Sequence, residues 1–333
     1  MKQVTIKEIA EKTGFSVNTV SRALSNRGEI KKETADLIRQ KAKEMGYLPN
    51  LLARGLSGKR TNTIGLIMGE TQNPYHWPVV GVIQKELTRR GQNLILANSE
   101  ETAEGLYNAV SIMLSSRVDG LLMFYPDKGE ESLHLLQKHN VPTVLLATHS
   151  NVPISYIEVD EEKEGYLATS YLLDRGCKKI AYISRDEDTL PSKARQKGWA
   201  KALKERGLDC SAVFTADSSL QGGNRISAST DFVSLGFDGI VAYNDLIAIG
   251  IMHNISERGY AIPEQISVIG FDNISYGEYS YPPLTTIDVQ KEEIGRRAVE
   301  MLMGHIGYKT EYNKVPFEKV ILESKLIVRK STR

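Results

Sequence analysis

Seven short apolar runs follow one another after Thr63: IGLIM at 64–68, NLILA at 93–97, GLLMF at 120–124, TVLLA at 143–147, KIAYI at 179–183, GIVAY at 239–243 and SVIGF at 267–271. Amphipathic stretches of helical length separate them. Continuous apolar strands alternating with such helices mean parallel sheets with both faces covered. Seven strands are too many for one comfortable sheet. The expectation is therefore an α/β core of two doubly wound parallel-sheet lobes. No internal repeat or low-complexity tract stands out.

The first 60 residues are built differently. They hold thirteen Lys and Arg against six Asp and Glu, a net charge of +7, whereas the remaining 273 hold 29 against 35, a net of −6. Charge segregated in this way suits an anionic partner for the first segment, or a solvated basic face. Thr5 and Glu8 form a T-x-x-E capping box that opens a helix at Ile6. Ile6, Ile9 and Ala10 share one face, and Gly14 supplies a left-handed stop. Ser16 caps a second helix, in which Val20, Ala23 and Leu24 face inward while Val17, Asn18, Ser21 and Arg22 lie elsewhere on the surface. A third helix, about Glu33–Met45, buries Ala35, Ile38, Ala42 and Met45 and ends at Gly46. Two helices joined by a turn, the second presenting small and polar side chains, form the helix-turn-helix that reads DNA. On this reading Asn18 reaches base edges, Arg22 bonds guanine or a phosphate, and Ser16, Thr19 and Ser21 suit phosphates.

The stretch YLPNLLARGLSGKR comes next. Pro49 stops the preceding helix and Asn50 is a plausible N-cap. Leu51–Ser57 is barely two turns long before Gly58 ends it, and so short a helix is marginal alone in water. It is expected to form only when something packs on it, which makes it a conditional hinge. The expected domains are a headpiece at 1–48, a hinge helix and linker at 49–60, and a core at 61–333.

These residues resemble a family. VTIKEIAEKTGFSVNTVSRALS followed by GYLPNLLARGLSGK is similar to the headpiece and hinge of the lactose/galactose repressor (LacI/GalR) family. The resemblance runs on through IGLI…NPY, DGLLMF, VPTVLL, GYLATSYLLDRGCKKIAYI, ARQKGWAKAL, VAYNDLIAIGIM, RGYAIPEQISVIGFDN and PPLTTID, in order. It implies a dimeric bacterial repressor of a carbohydrate-use operon, with a periplasmic-binding-protein-like core. Its expected partners are a pseudopalindromic operator and a small effector, usually a sugar, bound between the lobes. The N-lobe is expected at about 61–160 and 291–320, and the C-lobe at about 161–290 and 321–333.

The same resemblance carries roles to single residues. Val17 and Asn18 stand at the operator-discriminating positions, and Arg22 matches a nearly fixed arginine. Leu56 matches a leucine wedged into the minor groove, where an apolar side chain unstacks a base step. Ala53 and Arg54 approach the groove floor and a phosphate, and Thr5, Asn26 and Asn50 complete the expected DNA contacts. In the core, Arg195 matches the effector-binding arginine. Asn244 and Asp272 lie just after strands, where doubly wound folds place ligands, and Asp160 is a weaker match. An arginine and aspartates converging on hydroxyls suit a polyol, because each hydroxyl both donates and accepts. Asp245 is expected to cap the helix that follows it. Some positions depart from the family. Glu70 replaces the usual aspartate after the first strand, Tyr75, His76 and Trp77 replace paired phenylalanines, and ATHS at 147–150 replaces an Asp-Arg. Tyr75 and Trp77 either stack on the effector or pack between the lobes.

Other classes find less support. The chain has no G-x-S-x-G, H-E-x-x-H or P-loop, and its six histidines are scattered without ligand spacing, so no enzyme, cofactor or metal site is expected. Two cysteines are too few for a disulfide framework, and neither a signal peptide nor a membrane span is legible, which points to the cytoplasm. A pure sugar-binding protein is the competing reading, against which the basic headpiece argues. A switch driven by a phosphoprotein partner remains open beside the free sugar.

Overall fold

The computed structural model describes residues 4–24, 30–47, 60–69, 71–124, 129–186, 189–307 and 316–333. The chain forms two compact units, Met1–Thr61 and Asn62–Arg333.

The first unit holds three helices, α1 (Ile6–Thr13), α2 (Val17–Leu24) and α3 (Lys32–Glu44). The capping box forms as its spacing requires. The Thr5 amide donates to Glu8 Oε2 at 2.7 Å, and the Glu8 amide donates to Thr5 Oγ1 at 3.3 Å. Gly14 ends α1 at φ 74°. Ser16 Oγ accepts the Thr19 amide at 3.1 Å, which satisfies an orphan donor at the start of α2. Ile9, Ala10, Val20, Ala23, Ala35, Ile38 and Ala42 close the small core. Residues 25–29 and 48–59 lie outside the described residues, and with them Asn26, Asn50, Ala53, Arg54 and Leu56.

The second unit contains two six-stranded sheets. The strands of the first are β1 (Thr63–Met68), β2 (Asn93–Asn98), β3 (Gly120–Phe124), β4 (Thr143–Leu146), β5 (Ser155–Val159) and β11 (Lys319–Leu322). They lie in the order β11-β5-β4-β3-β1-β2, all parallel. The second sheet has β6 (Ile180–Arg185), β7 (Val213–Ala216), β8 (Gly239–Ala242), β9 (Ser267–Phe271), β10 (Thr285–Asp288) and β12 (Lys325–Ile327). Its order is β12-β10-β9-β8-β6-β7, parallel except for β12, which runs antiparallel to β10. Connecting them are α4 (His76–Arg89), α5 (Ala103–Ser115), α6 (Glu130–Lys138), α7 (Glu161–Asp174), α8 (Leu190–Glu205), α9 (Leu220–Ser229), α10 (Asp245–Glu257), α11 (Ser275–Tyr279) and α12 (Lys291–Gly307).

Each sheet is covered on both faces by its own pair of apolar clusters, as continuous apolar strands demand. The chain crosses between lobes three times. It leaves the first sheet after β5, returns through α12 and β11, and ends in the second sheet, where Ser331 Oγ donates to Val268 O at 2.6 Å. β11 reaches Leu322, paired with Val159, so the last crossing comes two residues later than the expected 320/321 boundary.

Candidate functional site

On the headpiece, Val17 is 51% exposed. Asn18 and Arg22 are exposed beside it, and Thr19 and Ser21 are half-buried. Ser16, Val17, Asn18, Ser21 and Arg22 thus leave the core to Val20 and Ala23 and present a polar face at the start of α2. The Thr5 and Ser16 side chains are engaged in the caps described above.

In the core, the carboxyl ends of the strands converge on a cavity of ≈ 110 Å³ between the lobes. Its walls follow strand ends one after another: Ala147 after β4, Val159 at the end of β5, Arg185 at the end of β6, Tyr243 and Asn244 after β8, and Asp272 after β9. This is where doubly wound sheets place ligands. Tyr75, Arg195, Asn244 and Asp272 are brought together there.

Arg195 reaches the cavity from α8. Its Nε donates to Glu164 Oε2 on α7 at 3.2 Å, its Nη1 donates to Tyr243 O at 2.8 Å, and its guanidinium lies 4.5 Å from the Phe271 ring centre. The arrangement depends on two glycines. A Cβ on Gly165 would stand 2.0 Å from Arg195 O, and one on Gly198 would stand 2.0 Å from Glu162 O. Only glycine lets α7 and α8 approach backbone to backbone, and that approach sets Glu164 against Arg195. Burial disfavours the Arg195 charge, but Glu164 and then Asp272 hold its pKa above the ordinary value. Burial raises Glu164 and Asp272, with Arg195 opposing in each case. Glu161 is pushed up to about 8 by desolvation and by Glu164.

Asp272 sits at φ 100°, a region costly for any residue but glycine. Lys291 Nζ pins the turn by donating to the carbonyls of Asp272 and Asn273, and Arg329 Nη2 donates to Asn273 Oδ1 at 2.7 Å. Asn244 carries the capping role expected of Asp245. Its Oδ1 accepts the Ile247 amide at 2.9 Å, while Nδ2 donates to Ser218 Oγ at 2.7 Å. Asp245 is instead a buried brace, accepting the Ile274 amide at 2.9 Å and the Thr286 hydroxyl at 2.6 Å.

Two expected residues are elsewhere. Asp160 is exposed and caps α7, its Oδ1 accepting the Lys163 amide at 2.9 Å. Trp77 is 47% exposed and donates its indole N–H to Thr71 O at 3.1 Å, outside the cavity wall. An aromatic beside Asn-Pro is a poor guide, because α4 turns 100° per residue and only Tyr75 and His76 face in. His76 packs edge-on to Phe124 with ring centres 4.4 Å apart, and desolvation lowers its pKa to about 4, so it is neutral.

Three charged residues of the cavity were not legible: Glu101, Glu161 and Arg185. Arg185 Nη2 donates to Glu101 Oε2 at 2.9 Å, joining the second lobe to the first. Its guanidinium also lies over the Tyr243 ring, 5.6 Å from the centre. The only sequence signal was a charged residue ending an otherwise apolar strand.

Comparison with known proteins bears on the family. A family model described as bacterial regulatory proteins, lacI family, matches residues 5–50, and one for a periplasmic binding protein-like domain matches 169–332. The HTH-type transcriptional repressor PurR of Pasteurella multocida is 32% identical over 99% of this chain and 98% of its own length. Its namesake in Vibrio vulnificus is 32% identical over 99% and 98%. The lac repressor dimer bound to operator and the anti-inducer ONPF superposes with TM-score 0.87 at 25% identity, covering 99% of each chain. A LacI family regulator from Enterococcus faecium with bound ribose gives 0.72 at 27% identity, covering 81% of this chain and 98% of that one. The chain therefore belongs to the LacI family of bacterial regulatory proteins, as a DNA-binding transcriptional repressor with a helix-turn-helix headpiece and a two-lobed α/β core.

Proposed function

We propose that this repressor controls a carbohydrate-use operon in the cytoplasm, binding a pseudopalindromic operator as a homodimer and switching when a sugar-like effector fills the interlobe cavity. The observation that carries the effector reading is the wall itself. Arg195, Arg185 and Asp272 of the second lobe, with Glu101 across the gap, offer donors and acceptors in a desolvated space. Hydroxyls satisfy such pairs, since each donates and accepts. The ribose-bound relative supports the same class.

The dimer is supported by apolar side chains left in water on the first lobe. Ile95 and Leu96 on β2 are 36% and 45% exposed, and Tyr107 and Ile112 on α5 are 44% and 55% exposed. Large apolar side chains left exposed on a sheet-edge strand and a neighbouring helix suit an interaction surface. Two-fold symmetry in the protein then requires two-fold symmetry in the DNA site. Asn18 reads a base edge in each half-site and Leu56 wedges the central step. The effector acts by changing the angle between lobes and hence the affinity for the operator.

A thermal-shift screen of saccharides tests the effector. A specific ligand raises the unfolding midpoint with the logarithm of its saturation. The reading fails if no pentose, hexose or oligosaccharide shifts it, or if a binding sugar leaves operator affinity unchanged.

A further inference from the structure

Three short stretches of chain join the lobes: Asp160 between β5 and α7, residues 289–290 between β10 and α12, and residues 323–324 between β11 and β12. A change in the angle between the lobes has to be absorbed in these few residues. The charged residues Arg195 and Asp272 of the cavity are tied to two of the three.

Glu164 lies in the first turn of α7. Its side chain is 1% exposed, and its two oxygens serve different parts of the molecule. Oε2 accepts Arg195 Nε at 3.2 Å, and Oε1 accepts the hydroxyl of Ser324, which stands in the last crossing. Arg195 and Ser324 thus meet on one carboxylate. A carboxylate sealed from water is costly unless its lone pairs are satisfied, and no solvent is at hand to replace a lost donor. Drawing the Arg195 Nε–H away from Glu164 therefore puts the demand of the charge on Ser324, and the crossing shifts with it.

The other cavity charge is tied in a similar way. Lys291 follows the second crossing and donates to the carbonyls of Asp272 and Asn273. Gln290 Nε2, within that crossing, donates to Glu323 O in the last one, so the two crossings are joined.

We infer that Glu164 is a positioning residue of the switch, linking the Arg195 guanidinium in the cavity to the last interlobe crossing through Ser324. The inference rests on the proposed effector site and adds the residues that carry its occupancy to the hinge.

The first test needs no effector. Unfolding midpoints are measured for the full chain with Arg195→Lys, Ser324→Ala and both, in the wild-type background and in Glu164→Gln. The two losses should be non-additive with Glu164 present and additive in the Glu164→Gln background, where one carbonyl oxygen replaces two acceptors. Ser324→Thr keeps the hydroxyl and should restore the wild-type cycle. Additivity with Glu164 present, or the same non-additivity without it, overturns the link.

The second test reads the switch itself. Affinity for a duplex selected from random sequence is measured with and without D-ribose, and likewise with D-glucose, D-galactose and maltose. Ser324→Ala should cut the factor by which a binding sugar changes that affinity by about twofold or more, and leave the sugar's own affinity in the absence of DNA close to wild type. An unchanged factor overturns the inference and leaves the sugar reading standing. If no sugar binds, the sugar reading falls, and the midpoint cycle decides the link by itself.

Discussion

Arg185, 8% exposed at the end of β6, and Glu101, 23% exposed beyond β2, form an ion pair of 2.9 Å between the two lobes. Glu164 neutralises Arg195 from within the same lobe, and Arg185 pairs with a carboxylate from the opposite one. Separating the lobes breaks this pair and leaves the Arg195 pair intact.

Glu101→Gln should therefore loosen closure. Removing one partner loses the ion pair across the lobes, and a cost of about 1–3 kcal/mol is expected at this partly solvated site. Arg185→Met added to it should cost less than the two single changes summed, because both remove the same pair. A double-mutant cycle on thermal unfolding reads the coupling, and additive single effects would show that the pair contributes nothing.

Gly165→Ala gives a test by sign. In a helix with free space around it, alanine would stabilise by about 1 kcal/mol. Here the new Cβ would meet Arg195 O at 2.0 Å, so α7 and α8 must part. The expected result is a loss of about 1–3 kcal/mol, with weakened effector binding as Glu164 and Arg195 shift. A stabilised variant would refute the backbone-to-backbone packing.

The seven apolar runs, each in a strand, made the two sheets legible, and the five strands they missed show why the rest was not. β7, β11 and β12 are sheet edges, and β5 and β10 lie next to those edges. SYIEV and KVIL alternate with solvent, and VFTA and KLI are three or four residues long, so none carries the continuous apolar signal of a covered strand. The cavity divides along the same line. Arg195 and Asp272 stood in motifs with a local meaning. Arg185 and Glu101 are 84 residues apart and meet only through the packing of the lobes. Asp160 misled because a carboxylate before a helix caps it as readily as it binds a ligand.

Glu161 predicts a pH dependence. Its folded pKa, about 8, lies above the ordinary 4.5, so the folded protein holds a proton the unfolded chain has lost. The stabilisation is complete below pH 4.5 and disappears as pH rises towards about 8. Glu161→Gln should gain on the wild type progressively from pH 5 to pH 8 in unfolding midpoint. Parallel profiles would mean that Glu161 is solvated.

Two substitutions separate reading from wedging on DNA. Asn18→Ala should relax base preference at one position in each half-site by about 1–3 kcal/mol of discrimination, read from selected sequences. Leu56→Ala should weaken operator binding across sequences and leave effector affinity close to wild type. An unchanged selection profile removes Asn18 as a base reader, and equal loss of both activities makes Leu56 a structural residue.

The most direct test of the switch is reciprocity in the unmodified chain. Operator affinity is measured with and without the saturating saccharide that the thermal-shift screen identifies, and saccharide affinity with and without saturating operator. A site in the interlobe cavity coupled to the headpiece predicts one and the same factor in both directions, between about 5 and 150. Operator affinity that is identical with the cavity empty and filled would contradict the account.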